Sequence, residues 1–69
     1  MKYAELVRKL RRLGLKYYEP AKGSHEVWIL EEKQLRVTIP HHATREIPPG
    51  TLHAILRQLG LTEDDLRNA

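Results

Sequence analysis

HEVWILEEKQLRVTIP, residues 25–40, decides the fold. It contains two six-residue runs, HEVWIL (25–30) and LRVTIP (35–40), joined by the charged turn EEKQ (31–34). The second run alternates: Leu35, Val37 and Ile39 fall on one face, Arg36 and Thr38 on the other, which is the period of a half-buried strand. A four-residue connection is too short for a crossover, so the two strands must pair antiparallel. Upstream, LKYYEPA (15–21) reads as another strand ended by Pro20, and KGS (22–24) is turn chemistry leading into His25. The middle of the chain is therefore an antiparallel three-stranded meander.

A helix flanks the meander on each side. Tyr3, Leu6, Val7, Leu10 and Leu13 recur at helical spacing, and Gly14 suits a left-handed C-terminal cap. Leu52, Ile55, Leu56 and Leu59 follow the i, i+3, i+4, i+7 pattern, with prolines at the start and Gly60 at the end, which predicts a second helix over 49–59. Thr62 offers an N-cap for one short final turn. The order α-β-β-β-α, with one apolar stripe per helix, predicts a two-layer α+β domain over residues 1–69. Both helices cover one face of the sheet and the other face stays open, the order of the double-stranded-RNA-binding type of fold. In HEVWIL both alternate sets are apolar enough to be buried. Trp28 has the largest apolar area to lose, which favours its set inside and places His25 on the open side.

Composition narrows the class. A 69-residue chain buries only about 60% of the surface its unfolded form exposes, so its stability is marginal. There is no cysteine, which removes disulfides and thiolate metal sites. MKYAELVRKLRRLG (1–14) is amphipathic and charged, unlike a signal peptide, and no apolar run approaches the roughly 20 residues of a membrane span. The expectation is a soluble cytoplasmic protein. The net charge of +3 is uneven: residues 1–23 carry +5 and residues 24–69 carry −2. A basic half is an electrostatic footprint for polyanions, nucleic acid first, although charge alone is equally compatible with a solvated surface helix.

The chain has no glycine-rich phosphate loop, no nucleophile elbow and no carboxylate pair at helical spacing. Four histidines remain: His25, His41, His42 and His53. Adjacent histidines in extended chain diverge, so a metal site is not expected. His53 reads as a helix-edge surface residue, and His41 and His42 as loop residues. His25 stands apart. Gly23 and Ser24 before it let a large ligand approach the backbone, and Lys22 and Lys16 bring positive charge. An imidazole beside cations can take the proton of an RNA 2′-hydroxyl while lysine or arginine stabilises the phosphorane. The competing reading is a structural histidine at a strand start, and the residues alone leave both open. Arg8, Arg11, Arg12, Lys16, Lys22 and Arg36 are the candidate phosphate contacts, with the backbone of Gly23 and Ser24.

GSHEVW (23–28), VTIPHH (37–42) and PPGTLHAILRQLGL (48–61) together resemble the HicA toxins, the mRNA interferases of HicA–HicB toxin–antitoxin pairs. The resemblance implies the double-stranded-RNA-binding type of fold, a metal-independent endoribonuclease and a catalytic histidine after Gly-Ser, which is His25. Members often carry one histidine after the proline of the third strand; here there are two, so His41 and His42 are both candidates for an assisting role. The resemblance also implies a HicB-like antitoxin that covers the active site, with DNA contacted only through that antitoxin, and the basic half of the chain calls for an acidic one. A non-catalytic RNA-binding module of the same fold is the alternative, and a protein-interaction domain indifferent to RNA is a third.

Overall fold

The computed structural model describes residues 1–41 and 45–69, so His42 lies outside the described residues. The elements run α1 (Tyr3–Arg12), β1 (Lys16–Pro20), β2 (His25–Leu30), β3 (Leu35–Pro40), α2 (Pro49–Leu59) and α3 (Glu63–Arg67). The three strands form one antiparallel sheet in the order β1-β2-β3. The fold is the expected α+β arrangement of the double-stranded-RNA-binding type, with α3 as a short addition.

Local chemistry explains each boundary. Leu13 caps α1, and Gly14, at φ +103°, takes the left-handed turn that brings Leu15 back under the helix. The Leu15 N–H bonds the Leu10 carbonyl at 3.0 Å and closes that reversal. The EEKQ turn is a single 3₁₀ turn over Glu31–Lys33 that leaves through Gln34 in the left-handed region. Pro49 opens α2, where a missing N–H costs nothing, and Gly60 ends it at φ +68°. Thr62 and Asp65 form a reciprocal capping box for α3. The Asp65 carboxylate is held below its ordinary range, first by the hydrogen bond from the Thr62 backbone.

The register of β2 follows from burial. Trp28 and Leu30 point inward with Val37 and Ile39 of β3, while His25 is exposed. Against them pack Leu6 and Leu10 of α1, Ile55, Leu56 and Leu59 of α2, and Leu66 of α3, in one buried cluster completed by Leu15 and Ile47. Burying Trp28 inward removes the largest single apolar surface from water, which fixes which residues of β2 face the helices. A bulge between Tyr17 and Glu19 interrupts the β1–β2 ladder at Tyr18.

Leu59 is 0% exposed. Leu59→Ala should cost about 2–5 kcal/mol, against a total stability of about 3–10 kcal/mol for a chain of this size. In urea the midpoint should collapse with the slope unchanged, whereas Thr38→Ser on the outer face should shift stability by less than about 0.5 kcal/mol.

Candidate functional site

The site lies where the β1–β2 turn meets the end of β3. The Ala21 N–H bonds the His25 carbonyl at 2.9 Å and closes the turn. Gly23 sits at φ +67°, a backbone conformation that L side chains rarely adopt, with open space where a Cβ would be. Glycine is therefore required here for its conformation, and its lack of a side chain also leaves the backbone approachable. The turn delivers His25 to the first position of β2 with its Nδ1 3.2 Å from the Lys22 carbonyl. When Nδ1 carries the proton it donates to that carbonyl, and Nε2 is left as a free base.

A second imidazole joins it. The His41 N–H bonds the Ser24 carbonyl at 2.6 Å, which extends the β2–β3 ladder one step beyond the His25–Pro40 pair. His25 and His41 line one open pocket of about 240 Å³ together with Tyr17, Pro20, Gly23, Ser24 and Glu26. Glu26 belongs to the inward set of β2. Its Oε1 accepts from the Tyr3 hydroxyl and, at 3.3 Å, from Trp28 Nε1. Its Oε2 stands 3.6 Å from His41 Nδ1. The Tyr3 and His41 rings are 4.3 Å apart, tilted by 33°. Tyr17 meets the buried Trp28 edge to face at 5.9 Å, which fixes an exposed aromatic at the pocket wall. Burial first, and then the Glu26 carboxylate, push the Tyr3 phenol well above its ordinary value, so Tyr3 stays a donor.

The residues singled out from the sequence divide. The turn brings Gly23 and Ser24 into the pocket with His25, and the Lys22 carbonyl to the His25 ring. Lys16 pairs with Ile29, four residues along β2 from His25, roughly 13 Å at the strand rise. There its ammonium meets Glu31 at 3.7 Å, so it does not bring charge to the imidazole. The Arg36 guanidinium lies over the Tyr18 ring at 5.0 Å, beside a groove lined by those two residues with Ile29 and Leu35. The Arg11 guanidinium lies over Trp28 at 4.9 Å, Arg12 reaches the Ala69 carbonyl, and Arg8 is exposed on α1. His53 pairs with Glu63 on the surface. Among the described residues no three His, Asp, Glu or Cys side chains converge as a metal site would need, and no helix is long and apolar enough to cross a membrane.

Sequence reasoning passed over Glu26, Tyr3 and Tyr17. The period-2 pattern did carry a signal: Glu26 shares a face with Trp28 and Leu30, and a carboxylate on a face bound for the core demands partners. Tyr3 falls in the apolar stripe of α1, and its hydroxyl also needs an acceptor.

A three-stranded antiparallel sheet covered by helices, with two imidazoles at one end of its strands, defines an α+β domain of the double-stranded-RNA-binding type of fold. The family model described as HicA toxin of bacterial toxin-antitoxin matches residues 3–61, a span that includes every residue of the pocket. The chain belongs to the HicA toxin family: it is a toxin of a bacterial toxin–antitoxin system, and an antitoxin is its partner. No curated protein and no solved structure matches it.

The Tyr3 phenol has a testable consequence. Its folded pKa lies above the unfolded value of 10.0, so the stability it contributes is present below pH 10 and lost as pH rises further. Tyr3→Phe has nothing to ionise. It should lose about 1 kcal/mol at neutral pH and show a shallower fall in urea midpoint above pH 10 than the wild type.

Proposed function

We propose that this HicA-family toxin is a metal-independent endoribonuclease that cleaves mRNA in the cytoplasm, with His25 as its proton-transfer residue. The observation that carries the reading is the exposed His25 ring with Nδ1 turned to the Lys22 carbonyl, which leaves Nε2 as a base beside an open pocket. The base removes the proton of a 2′-hydroxyl, and the resulting oxygen attacks the adjacent phosphorus. The Lys22 ammonium and the N–H groups of Gly23 and Ser24 stabilise the charge on the phosphorane. DNA lacks the attacking hydroxyl and is spared.

Arg8, Arg11, Arg12, Lys16 and Arg36 position the RNA through phosphate contacts that carry no sequence information. Lys16 and Arg36 lie away from the imidazole, so they act on flanking nucleotides. The antitoxin of the pair is proposed to be an acidic HicB-like protein that covers His25 and excludes RNA, with complementary charge speeding its capture. Any DNA contact of the pair belongs to that antitoxin. Folded His25→Ala should cleave RNA about 10²–10⁴-fold more slowly, and a 2′-deoxy nucleotide at the scissile position should block the wild type. A gel shift without fragments from the wild-type protein would instead favour the non-catalytic RNA-binding module.

A further inference from the structure

We infer that His41 is a second proton-transfer group of this pocket, the acid that protonates the leaving 5′ oxygen, and that Glu26 is the residue that positions it. The inference rests on the ribonuclease reading of His25 and adds a residue to it. In-line displacement places the attacking and leaving oxygens on opposite sides of phosphorus, so a base at one oxygen is badly placed to serve the other. The strand register supplies two directions of approach. His25 stands opposite Pro40, and His41 is one residue further along, on the other side of the pleat. Both imidazoles nevertheless line the same pocket, because the Ser24–His41 backbone bond holds the two chains together where the strands end.

Glu26 gives the second imidazole an orientation. Its Oε1 is occupied by Tyr3 and Trp28, which leaves Oε2 for His41 Nδ1 at 3.6 Å. With Nδ1 turned to the carboxylate, Nε2 lies on the far side of the ring from Glu26. The Tyr3 ring beside His41 limits its rotation. When His41 carries both ring protons, the contact with Oε2 is an ion pair, and that is the state from which an acid must start. Among the described residues that line the pocket, Tyr17 and Glu26 are the other titratable groups besides the two histidines. Glu26 is committed as an acceptor to the Tyr3 and Trp28 donors. The step then balances: His25 Nε2 takes the 2′-hydroxyl proton, the O2′–P bond forms as the P–O5′ bond breaks, and His41 Nε2–H gives its proton to O5′. The products are a 2′,3′-cyclic phosphate and a 5′-hydroxyl, and exchange of one proton with solvent resets both rings.

A substrate with sulfur in place of the bridging 5′ oxygen tests the assignment, because a thiolate leaves without an acid. The readout is the single-turnover rate of a short RNA and of its 5′-thio analogue. On the oxygen substrate His41→Ala should be about 10²–10⁴-fold slower than the wild type. On the sulfur substrate most of that loss should vanish. Glu26→Gln should show a smaller loss of the same leaving-group-dependent kind, which a purely structural role would not produce. His25→Ala should be slow on both. Should His41→Ala fold poorly, His41→Gln, which keeps a polar side chain, gives the same comparison. A folded His41 variant that cleaves the oxygen substrate at the wild-type rate, or is slowed equally on both substrates, overturns the role of His41. A wild-type protein that cleaves neither substrate overturns the ribonuclease reading itself.

Discussion

The inward burial of Trp28 is the constraint on which the rest depends. Side chains along a strand alternate, so once the indole joins the core, Glu26 and Leu30 must turn inward with it and His25 must turn outward. A slip of one residue would bury His25 and expose the indole, at a cost of apolar area that a chain of 69 residues cannot absorb. The same choice that closes the core therefore exposes the imidazole. It also drives a carboxylate toward the helices, where Tyr3 and the indole N–H supply its donors.

Packing and site are joined at Glu26. The hydrogen bonds that satisfy it also link α1 to β2, and its remaining oxygen reaches the loop after β3. One half-buried carboxylate thus ties together a helix, a strand and the residue that follows the third strand. The backbone repeats the connection, with the Ile47 N–H on the Met1 carbonyl and a Lys2–Glu46 bridge holding the chain before α2 against the N-terminus. Such double attachment gives the end of the sheet a defined geometry in a protein with a small core.

Much of this was legible in the sequence. Clean alternation in LRVTIP gave β3 at its observed bounds, and the apolar spacing with flanking proline and glycine gave α2 the same way. Trp28 against His25 was a closer choice, settled correctly by apolar area. The pocket was only half legible. Gly23, Ser24 and His25 are contiguous, so local turn chemistry sufficed to group them. Glu26, Tyr3 and His41 are not contiguous, and their meeting depends on helix placement and on a backbone bond one step past the paired strands, neither of which leaves a local signature. Lys16 shows the opposite failure: it is close to His25 through the hairpin in sequence, yet the strand register carries it to the other end of the sheet. His53 behaved as a surface residue, as its position on the helix edge implied.

The proposed base chemistry turns on the orientation of the His25 ring. The Lys22 carbonyl can accept from Nδ1–H, and only that tautomer leaves Nε2 as a base. Long-range proton–nitrogen correlation NMR of the ¹⁵N-histidine-labelled protein reads the tautomer of each neutral imidazole directly. Neutral His25 should carry its proton on Nδ1, with Nε2 resonating as an unprotonated nitrogen. A His25 found with its proton on Nε2 and a bare Nδ1 would contradict it.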